Sequence, residues 1–430
     1  MTLLGIGEVA PSAGLAPDVR DLLVVGGGPT LEEAICAQLA LPDIEIVGTG
    51  TAAMLIALTY LKRRSPRRTR VIIPAYTCPL VACAVAAARL ETIPCDTAEG
   101  AFDLDPGHLA RLVDEHTLAV VPTHYGGALT DVGRVRAIAA AVSPEAAIIE
   151  DAAQAFGATW EGRSVGLRGD IGLFSFGAGK GFTIYEGGAL VASDASVMAG
   201  LRAVAAELSS RSVLGEARRA LLFVGYHAVY NRLGLRAVYG MPKRFWLARG
   251  NEIRAAGDEA PSKVALHRVG TWRKAVGRAA LPRLAAHLAN SRDRFLRLAR
   301  RLAVIPGLKV HLPVAGAMPS ATFLFVTLPA ADFCEATIER LWRSPLGAAK
   351  LFSRAIVDYP QLASLVYPTE TPHARALAAS TLTLSTHDTL TPAAEAALLS
   401  TLHDGMLPGG LPAQSSRSRR DHPRWGENVP

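Results

Sequence analysis

A single lysine, Lys180, lies in a glycine-rich stretch, "SFGAGKGFTIYEGG", between two apolar runs of the sequence. In such a place a lysine can bind phosphate, carry a solvated loop charge, or present an amine in a cleft for covalent chemistry. A Walker phosphate loop reads GxxxxGK followed by Ser or Thr, but Gly181 follows Lys180 and Phe174 occupies the first glycine position. The sequence excludes the Walker loop and leaves the solvated charge and the reactive amine open.

Two carboxylates, Glu150 and Asp151, end the apolar stretch "AAIIED" upstream of this lysine. An acid that leaves a buried strand needs a partner, because an unpaired charge is costly there. Ser175 ends a second apolar run, "IGLFS", between these acids and Lys180. A helix cap or a surface ion pair would be the ordinary explanation for the acids, and a functional carboxylate is the alternative.

The stretch "VGTGTAAMLIAL" (47–58) contains a possible anion site. The pattern predicts a strand, a short turn, and a helix that begins near Ala52. The first turn of a helix has unpaired N–H groups and the positive end of the helix dipole, so it stabilises phosphate. Thr49 and Thr51 add hydroxyl donors, and Gly50 lets an anion approach the backbone. An ordinary N-cap explains this stretch equally well when it is considered alone.

Pyridoxal 5′-phosphate (PLP) is a cofactor that would use all three features together. It needs an amine for a Schiff base, an acid against its ring nitrogen, and a cradle for its phosphate, and a protonated ring nitrogen makes the ring an electron sink. Lys180 would supply the amine and Asp151 the acid. The turn at 49–52 and Ser175 would form the cradle.

A second glycine cluster, "LLVVGGGPTLEEA" (22–34), is similar to a dinucleotide-binding fingerprint. Leu31 occupies the third glycine position of that fingerprint, and Pro29 interrupts it. The sequence favours a turn that leads into a helix, with Thr30 as the N-cap and Glu33 completing a capping box.

From about residue 40, short β-branched runs alternate with longer helical patterns, which predicts an α/β domain with a largely parallel, buried sheet. Ligands bind such sheets at the carboxyl ends of the strands. Residues 195–300 have a helical pattern, and a smaller α+β domain is expected after them. We predict a large domain at 1–285, a small C-terminal domain at 286–407, and a disordered tail at 408–430.

At this point the sequence resembles the DegT/StrS-type nucleotide-sugar aminotransferases, within the fold-type I group of PLP enzymes. The motifs that carry the resemblance are "GTGTAA", "VIIPAYT", "VVPTHYGG", "EGGALVASD" and the long run from Glu150 to Gly188. It covers most of 40–195 and resumes, more weakly, at 258–405. The resemblance implies a PLP fold type I large domain and a homodimer with active sites at the interface.

The resemblance also implies a role for each matching residue. Lys180 is expected to bind the cofactor covalently and to move a proton, and Asp151 to pair with the ring nitrogen. Gln154 is expected near the phenolic oxygen of the ring. The expected phosphate contacts are Gly50, Thr51, Ala52 and Ser175. His124 has no assigned role.

The implied activity is transfer of an amino group from an amino acid, glutamate in the first instance, to a keto sugar linked to a nucleotide. Such a reaction would serve polysaccharide or secondary-metabolite synthesis. Lysine at position 180 favours transamination over the dehydration carried out by relatives that have histidine there. A PLP enzyme acting on a non-sugar ketone, a sugar dehydratase, and a catalytically silent regulatory protein with the same fold remain as alternatives.

The sequence departs from the family pattern at four places. Cys78 occupies the position of an aromatic residue that stacks on the cofactor, so either Tyr76 takes that role or no residue does. The stretch "GDEAPSKVAL" (257–266) lacks the asparagine that reaches the partner subunit's phosphate. Tyr185 replaces a glycine, and residues 205–256 are added or strongly diverged.

The net charge of +7 is concentrated in the added segment. Between 211 and 250 eight basic residues face one acid, a difference of 8 − 1 = 7, so a general nucleic-acid surface is not expected. This part of the chain could form a packed pair of helices, a lid over an acidic substrate, or a peripheral contact with anionic lipid.

The five cysteines form no CxxC pair, which argues against a disulfide framework or a zinc site and fits a reducing compartment. The N-terminal residues lack the pattern of a signal peptide. A cytoplasmic protein without a metal site is therefore expected.

Overall fold

The computed structural model describes residues 7–24, 27–261, 263–329 and 332–406. The predicted disordered tail at 408–430 lies outside these residues. The described helices are α1 (Val19–Leu22), α2 (Leu31–Leu39), α3 (Gly50–Arg64), α4 (Pro79–Ala87), α5 (Pro106–Leu112), α6 (Val132–Val142), α7 (Ala195–Leu208), α8 (Val213–Val229), α9 (Arg232–Leu235), α10 (Met241–Ala248), α11 (Glu252–Ala256), α12 (Thr271–Ala280), α13 (Leu284–Leu302), α14 (Asp332–Arg343), α15 (Pro372–Ser380) and α16 (Pro392–Gly405). The strands are β1 (Glu45–Val47), β2 (Arg70–Pro74), β3 (Glu91–Cys95), β4 (Thr117–Val120), β5 (Ala147–Asp151), β6 (Thr159–Trp160), β7 (Arg163–Ser164), β8 (Ile171–Ser175), β9 (Gly188–Val191), β10 (Lys309–Val310), β11 (Ala317–Met318), β12 (Phe323–Thr327), β13 (Ala348–Ala349) and β14 (Thr381–Ser385).

The main sheet has seven strands in the order β1-β9-β8-β5-β4-β2-β3. Five adjacent strands of this sheet are parallel, namely β8, β5, β4, β2 and β3. At the other end of the sheet, β9 is antiparallel to β8 and β1 is antiparallel to β9. Most of the strand residues are buried, as expected for a parallel sheet covered by helices on both faces. The α/β fold with a mostly parallel sheet is confirmed.

A second sheet is antiparallel and has the order β10-β12-β14-β13, and a small third sheet joins β11, β6 and β7. Helix α13 connects the two larger sheets. Its residues Leu284 and Leu288 belong to a core cluster on the main sheet, while Phe295 and Leu302 belong to the cluster on the second sheet. The boundary that we propose between the domains, at residue 285, lies in the first turn of this helix.

The added segment 205–256 is almost entirely helical. It contains the last turn of α7, all of α8 to α11, and a π-helical turn, Arg236–Gly240, between α9 and α10. Phe223 of α8 is fully buried, whereas Leu214 and Leu221 on its outer face are 83% and 71% exposed. Among the described helices, none is both long enough and apolar enough to cross a membrane.

The first described residues run between the two larger sheets. The Val9 N–H donates to the carbonyl of Pro345, and the Leu15 N–H donates to the carbonyl of Gly181 at 3.0 Å. The segment 7–15 therefore connects the second sheet to the turn that carries Lys180.

Candidate active site

The sequence-predicted residues meet at one edge of the main sheet. Parallel pairing of β5 with β8 places Asp151 opposite Leu173, two residues before Ser175. Helix α3 begins at the same edge, because strand β1 pairs with β9 and β9 pairs with β8. The carboxyl ends of parallel strands meet at one edge, which explains why residues far apart in the sequence lie together here.

Lys180 lies in a turn five residues after β8. Its N–H donates to the carbonyl of Gly177 at 3.2 Å, and Gly179 has a φ of +76°, which favours glycine. The Ser12 hydroxyl donates to the carbonyl of Gly179 at 2.6 Å. A Cβ at Gly14 would lie 2.6 Å from the carbonyl oxygen of Lys180, so only glycine fits there. The glycine-rich stretch therefore forms a turn that is held in place by the N-terminal segment.

Neighbouring acids at the end of β5 have different environments, because successive side chains point to opposite faces of a strand. Glu150 is fully buried and accepts hydrogen bonds from His124 Nε2 at 2.8 Å and from the N–H groups of Gly166, Arg168 and Gly169. Burial raises the pKa of Glu150, but the hydrogen bonds from His124 and the main chain outweigh it and hold the pKa below its ordinary value. Glu150 thus fixes the 166–169 loop.

Asp151 is buried but has few partners. Its carboxylate accepts one hydrogen bond within the described chain, from the Ala153 N–H at 3.0 Å. Burial raises its pKa, and the hydrogen bond from Ala153 and the nearby charge of Lys180 act in the opposite direction. The main chain of Asp151 is fixed by hydrogen bonds to Pro122 and His124 on the extension of β4. A rigid, buried carboxylate with spare acceptor capacity suits a protonated ring nitrogen.

His124, which had no assigned role in the sequence analysis, supports this arrangement. The Thr130 N–H donates to His124 Nδ1 at 3.1 Å, so that nitrogen accepts and Nε2 carries the proton donated to Glu150. His124 therefore anchors Glu150 beside Asp151. Its position after a buried strand, in "PTHYGG", was the available signal, but the partner carboxylate is twenty-six residues away along the chain.

The first turn of α3 forms a cradle with Ser175. Thr49 is the N-cap, and its hydroxyl accepts from the Ala52 N–H at 2.9 Å, so the N–H groups of Gly50 and Thr51 have no partner in the described chain. A Cβ at Gly50 would lie 3.1 Å from Ser175 Oγ and 2.9 Å from its Cβ. A side chain at position 50 would therefore displace Ser175, the other expected phosphate contact.

The candidate stacking residue, Tyr76, is fully buried in an aromatic cluster with Phe102, Tyr125 and Phe352. Its carbonyl accepts a hydrogen bond from the Tyr125 hydroxyl at 2.5 Å. Tyr76 does not line the cavity beside Lys180 that is described below, and its stacking role stays a prediction. Burial raises the pKa of the neighbouring Cys78 thiol to about 11, and the charge of Lys180 opposes this shift.

Tyr185, which stands where the family pattern has a glycine, has a φ of +75°. This is the left-handed region in which glycine is favoured, so the family's glycine and this backbone conformation agree. The ring of Tyr185 packs near Phe223 and Tyr226 of α8, with centroids 6.4 and 6.1 Å away. The tyrosine therefore connects the Lys180 turn to the added segment.

A cavity of about 270 Å³ opens beside Lys180. It extends from the Lys180 turn to the second sheet and to the added segment. Its lining residues are Pro11, Ser12, Gln154, Ala178, Gly179, Lys180, Gly181, Tyr239, Ala256, Thr322, Phe323, Ala349, Lys350, Leu351 and Thr383. Gln154, which was expected near the cofactor ring, therefore lies in the same cavity as Lys180.

The residues fit PLP. A lysine on a turn, a buried aspartate at a strand end and a cradle at a helix N-terminus surround one edge of the sheet, and they define a protein of the PLP fold type I class. The structure brings together Lys180, Asp151, Ser175 and the 50–52 turn.

Comparison with known proteins agrees with this class. Residues 29–225 match the DegT/DnrJ/EryC1/StrS aminotransferase family. The 3-amino-5-hydroxybenzoate synthase of Amycolatopsis mediterranei (strain S699) is 36% identical over 150 residues, which are 34% of this chain and 37% of that protein. The L-glutamine:2-deoxy-scyllo-inosose aminotransferase of Micromonospora echinospora is 35% identical over 149 residues, 35% of this chain and 34% of the relative.

The structural similarity extends further than the sequence similarity. The crystal structure of 3-amino-5-hydroxybenzoic acid synthase is 25% identical, with a TM-score of 0.64 over 87% of this chain and 89% of that one. The match to the DegT/DnrJ/EryC1/StrS aminotransferase family covers somewhat less than half of the chain, and the fold is that of the PLP-dependent aminotransferases of fold type I. The matched sequence spans little more than a third of the curated relatives.

Proposed function

We propose that this protein is a PLP-dependent aminotransferase. The observation that carries the proposal is the environment of Asp151, a buried carboxylate with one hydrogen bond beside Lys180. An uncompensated acid in this position costs stability, so its retention is explained by a cationic partner. The ring nitrogen of PLP is such a partner.

Each residue of the site has a part in this reaction. Bound PLP supplies an electron sink for the carbon that gains or loses the amino group. Lys180 binds the cofactor through Nζ and carries the proton to and from the reacting carbon. Asp151 would keep the ring nitrogen protonated, and Gln154, which lines the cavity, would contact the phenolic oxygen of the ring. Gly50, Thr51, Ala52 and Ser175 hold the phosphate.

The acceptor that we propose is a keto sugar linked to a nucleotide, as the family resemblance implies, with glutamate as the first donor to test. A second candidate is a cyclic polyol ketone with L-glutamine as donor. The name of the Micromonospora echinospora relative, which acts on 2-deoxy-scyllo-inosose, favours it. A secondary-metabolite or polysaccharide pathway would use either product.

We further propose a cytoplasmic homodimer. The family resemblance supports the dimer, and the unpaired cysteines support a reducing compartment. The exposed leucines of α8 lie on a surface that a partner subunit or anionic lipid could cover, so the peripheral membrane contact through 211–250 also stays a prediction.

The test begins with reconstitution of the purified protein with PLP. We expect a visible absorbance band that borohydride fixes covalently to Lys180, as mass spectrometry of the labelled peptide would show. Addition of L-glutamate or L-glutamine should then convert the band to that of the amine form. A protein that binds PLP but responds to no amino donor would support the silent alternative, and a protein that binds no PLP would refute the whole proposal.

The substrate question needs a separate panel. The true acceptor should convert the amine form of the cofactor back to the aldehyde form, whose visible absorbance band then returns. Nucleotide-linked keto sugars and free cyclic polyol ketones are compared by the rate of this return. Faster return with the nucleotide-linked sugars supports the first candidate. Faster return with the free ketones supports the second.

A further inference from the structure

The charge of the cavity beside Lys180 is one-sided. The described residues that line it include two lysines, Lys180 and Lys350, and no aspartate or glutamate. Lys180 is committed to the cofactor in the proposed reaction, which leaves Lys350 as the remaining cation. A cavity with a cation and without an acid favours a ligand that carries an anionic group.

Lys350 is held in place without being neutralised. It directly follows β13, whose residue Ala349 is paired with Thr383 of β14. Its ammonium lies over the ring of Trp342, 5.5 Å from the centroid. It forms no ion pair or hydrogen bond with the described residues, although the charges of Glu252 and Glu335 act on it from farther away. Burial lowers its pKa, a cost that a bound anion would offset.

The added segment supplies a second donor to the same cavity. Tyr239 lies in the π-helical turn Arg236–Gly240, and π-helical turns inside helices are frequent at functional sites. Helix α10, which directly follows the turn, is anchored by Glu8, because Arg244 Nη1 donates to this carboxylate at 2.9 Å and Lys243 pairs with it at 3.4 Å. Burial keeps the Tyr239 hydroxyl protonated by raising its pKa, so it can donate.

We propose that Lys350, assisted by Tyr239, binds a carboxylate group of the substrate opposite Lys180. The proposal rests on the aminotransferase function and names a substrate-binding residue for it. A carboxylate has two acceptor oxygens, which matches one ammonium and one hydroxyl donor. The added segment is then a wall of the substrate site, through Tyr239 and Ala256.

The direct test is binding of glutarate to the PLP-loaded, borohydride-reduced protein, measured by calorimetry, with the neutral isostere glutaramide as the reference ligand. Wild-type protein should prefer glutarate. Lys350→Met should weaken glutarate binding about 20-fold and leave glutaramide unchanged, because one charge-assisted interaction is lost. Lys350→Arg should restore most of the preference. Tyr239→Phe should weaken glutarate about 5-fold.

The matched control is Lys263→Met, since Lys263 is exposed and does not line the cavity. It should bind glutarate like wild type. Circular dichroism and the visible absorbance of the cofactor show whether each variant is folded and loaded. Unchanged glutarate binding in a folded Lys350→Met would overturn the proposal, as would an equal loss of glutaramide binding.

The kinetics of the first half-reaction with L-glutamate show whether the bound carboxylate belongs to the amino donor or to the keto acceptor. A KM that rises about 20-fold in Lys350→Met with a nearly unchanged maximal rate assigns the site to the amino donor. A normal KM together with weakened glutarate binding assigns it to an acid group on the keto acceptor. If wild-type protein takes up no PLP, the aminotransferase proposal fails, whereas glutarate binding by the unloaded protein still tests Lys350.

Discussion

The edge of the main sheet and the added segment 205–256 hold their side chains by different means. At the edge, Asp151 and the Lys180 turn are fixed largely by main-chain hydrogen bonds and by glycines that admit no side chain. In the added segment, side chains make the connections. Fully buried Arg273 of α12 donates to both carboxylate oxygens of Glu216 in α8, at 2.5 and 2.9 Å.

The difference teaches where substitution should affect chemistry and where it should affect stability. Within the part of the chain that the structure describes, the side chains of Lys180 and Asp151 form no ion pair, so we expect their substitution to remove function but few native contacts. In the added segment, buried charged side chains form ion pairs. Substitution of one partner leaves the other buried and unpaired, so it should destabilise the fold. Tyr239 is the exception, since it faces the cavity.

Two lysines, one from each region, test this comparison with the largest expected effect. Lys180→Ala should abolish covalent attachment of PLP and reduce turnover by about 1,000-fold or more, because the nucleophile and proton carrier is lost. The melting temperature of the unloaded protein should stay near that of wild type. Mass spectrometry after borohydride treatment and thermal unfolding measure the two properties.

Lys243→Met is the counterpart in the added segment. Lys243 is buried and pairs with Glu8, and we expect a loss of about 1–3 kcal/mol in the free energy of unfolding. PLP attachment at Lys180 should persist. A Lys243 variant that lost the cofactor while remaining folded would contradict the division between the two regions.

The neighbouring acids give the next effect. Asp151→Asn should reduce turnover about 100-fold, because a neutral amide no longer keeps the ring nitrogen protonated, although PLP should still attach. Glu150→Gln should instead lower the free energy of unfolding by about 1–3 kcal/mol, because hydrogen bonds to a buried carboxylate are weakened. Urea unfolding and single-turnover absorbance distinguish the two variants, and similar profiles would argue against separate roles.

A pair of glycines probes the cradle. Gly50→Ala should raise the Kd for PLP about 10- to 100-fold, since the new Cβ displaces Ser175, the other expected phosphate contact. Gly225→Ala on α8 meets no atom within 4 Å and should stabilise the fold by about 0.5–1 kcal/mol through helix propensity alone. Fluorescence titration with PLP measures the first effect and thermal unfolding the second. Equal PLP affinities would refute the cradle.

The smallest effect is in the pH dependence of stability. The pKa of Glu150 is depressed in the folded protein from its ordinary 4.5, so its stabilisation is present above pH 4.5 and is lost as the pH falls through the folded value. The pKa of Asp151 is raised from 3.8, so its contribution has the opposite sign and stability is lost as the pH rises through its folded value.

We therefore expect the stability gap between wild type and Glu150→Gln to narrow in acid. Without PLP, the free energy of unfolding of Asp151→Asn should increase relative to that of wild type as the pH rises from about 3.8 toward neutrality. Urea unfolding at a series of pH values, without cofactor, provides the measurement. Parallel curves for the two variants would show that the acids share one environment.

The sequence by itself determined the features that depend on near neighbours. The strands of the main sheet and the capping box of Thr30 and Glu33 follow from local hydrophobic patterns and N-cap residues, and the structure confirms them. Helix α3, predicted to begin near Ala52, begins two residues earlier, at Gly50, with Thr49 as its N-cap. The position of Lys180 in a tight turn was also local, because glycines at 177, 179 and 181 specify it.

Only the tertiary structure decided how distant residues are paired. Which of the two acids is free depends on His124 and on the 166–169 loop, and Tyr76 packs in an aromatic cluster completed by Phe352. Lys350 joins Lys180 in one cavity only because the second sheet folds back onto the main one. Contacts between residues far apart in the chain depend on the topology of the sheets and on packing. Residue spacing and secondary-structure propensity are local properties and do not specify such contacts.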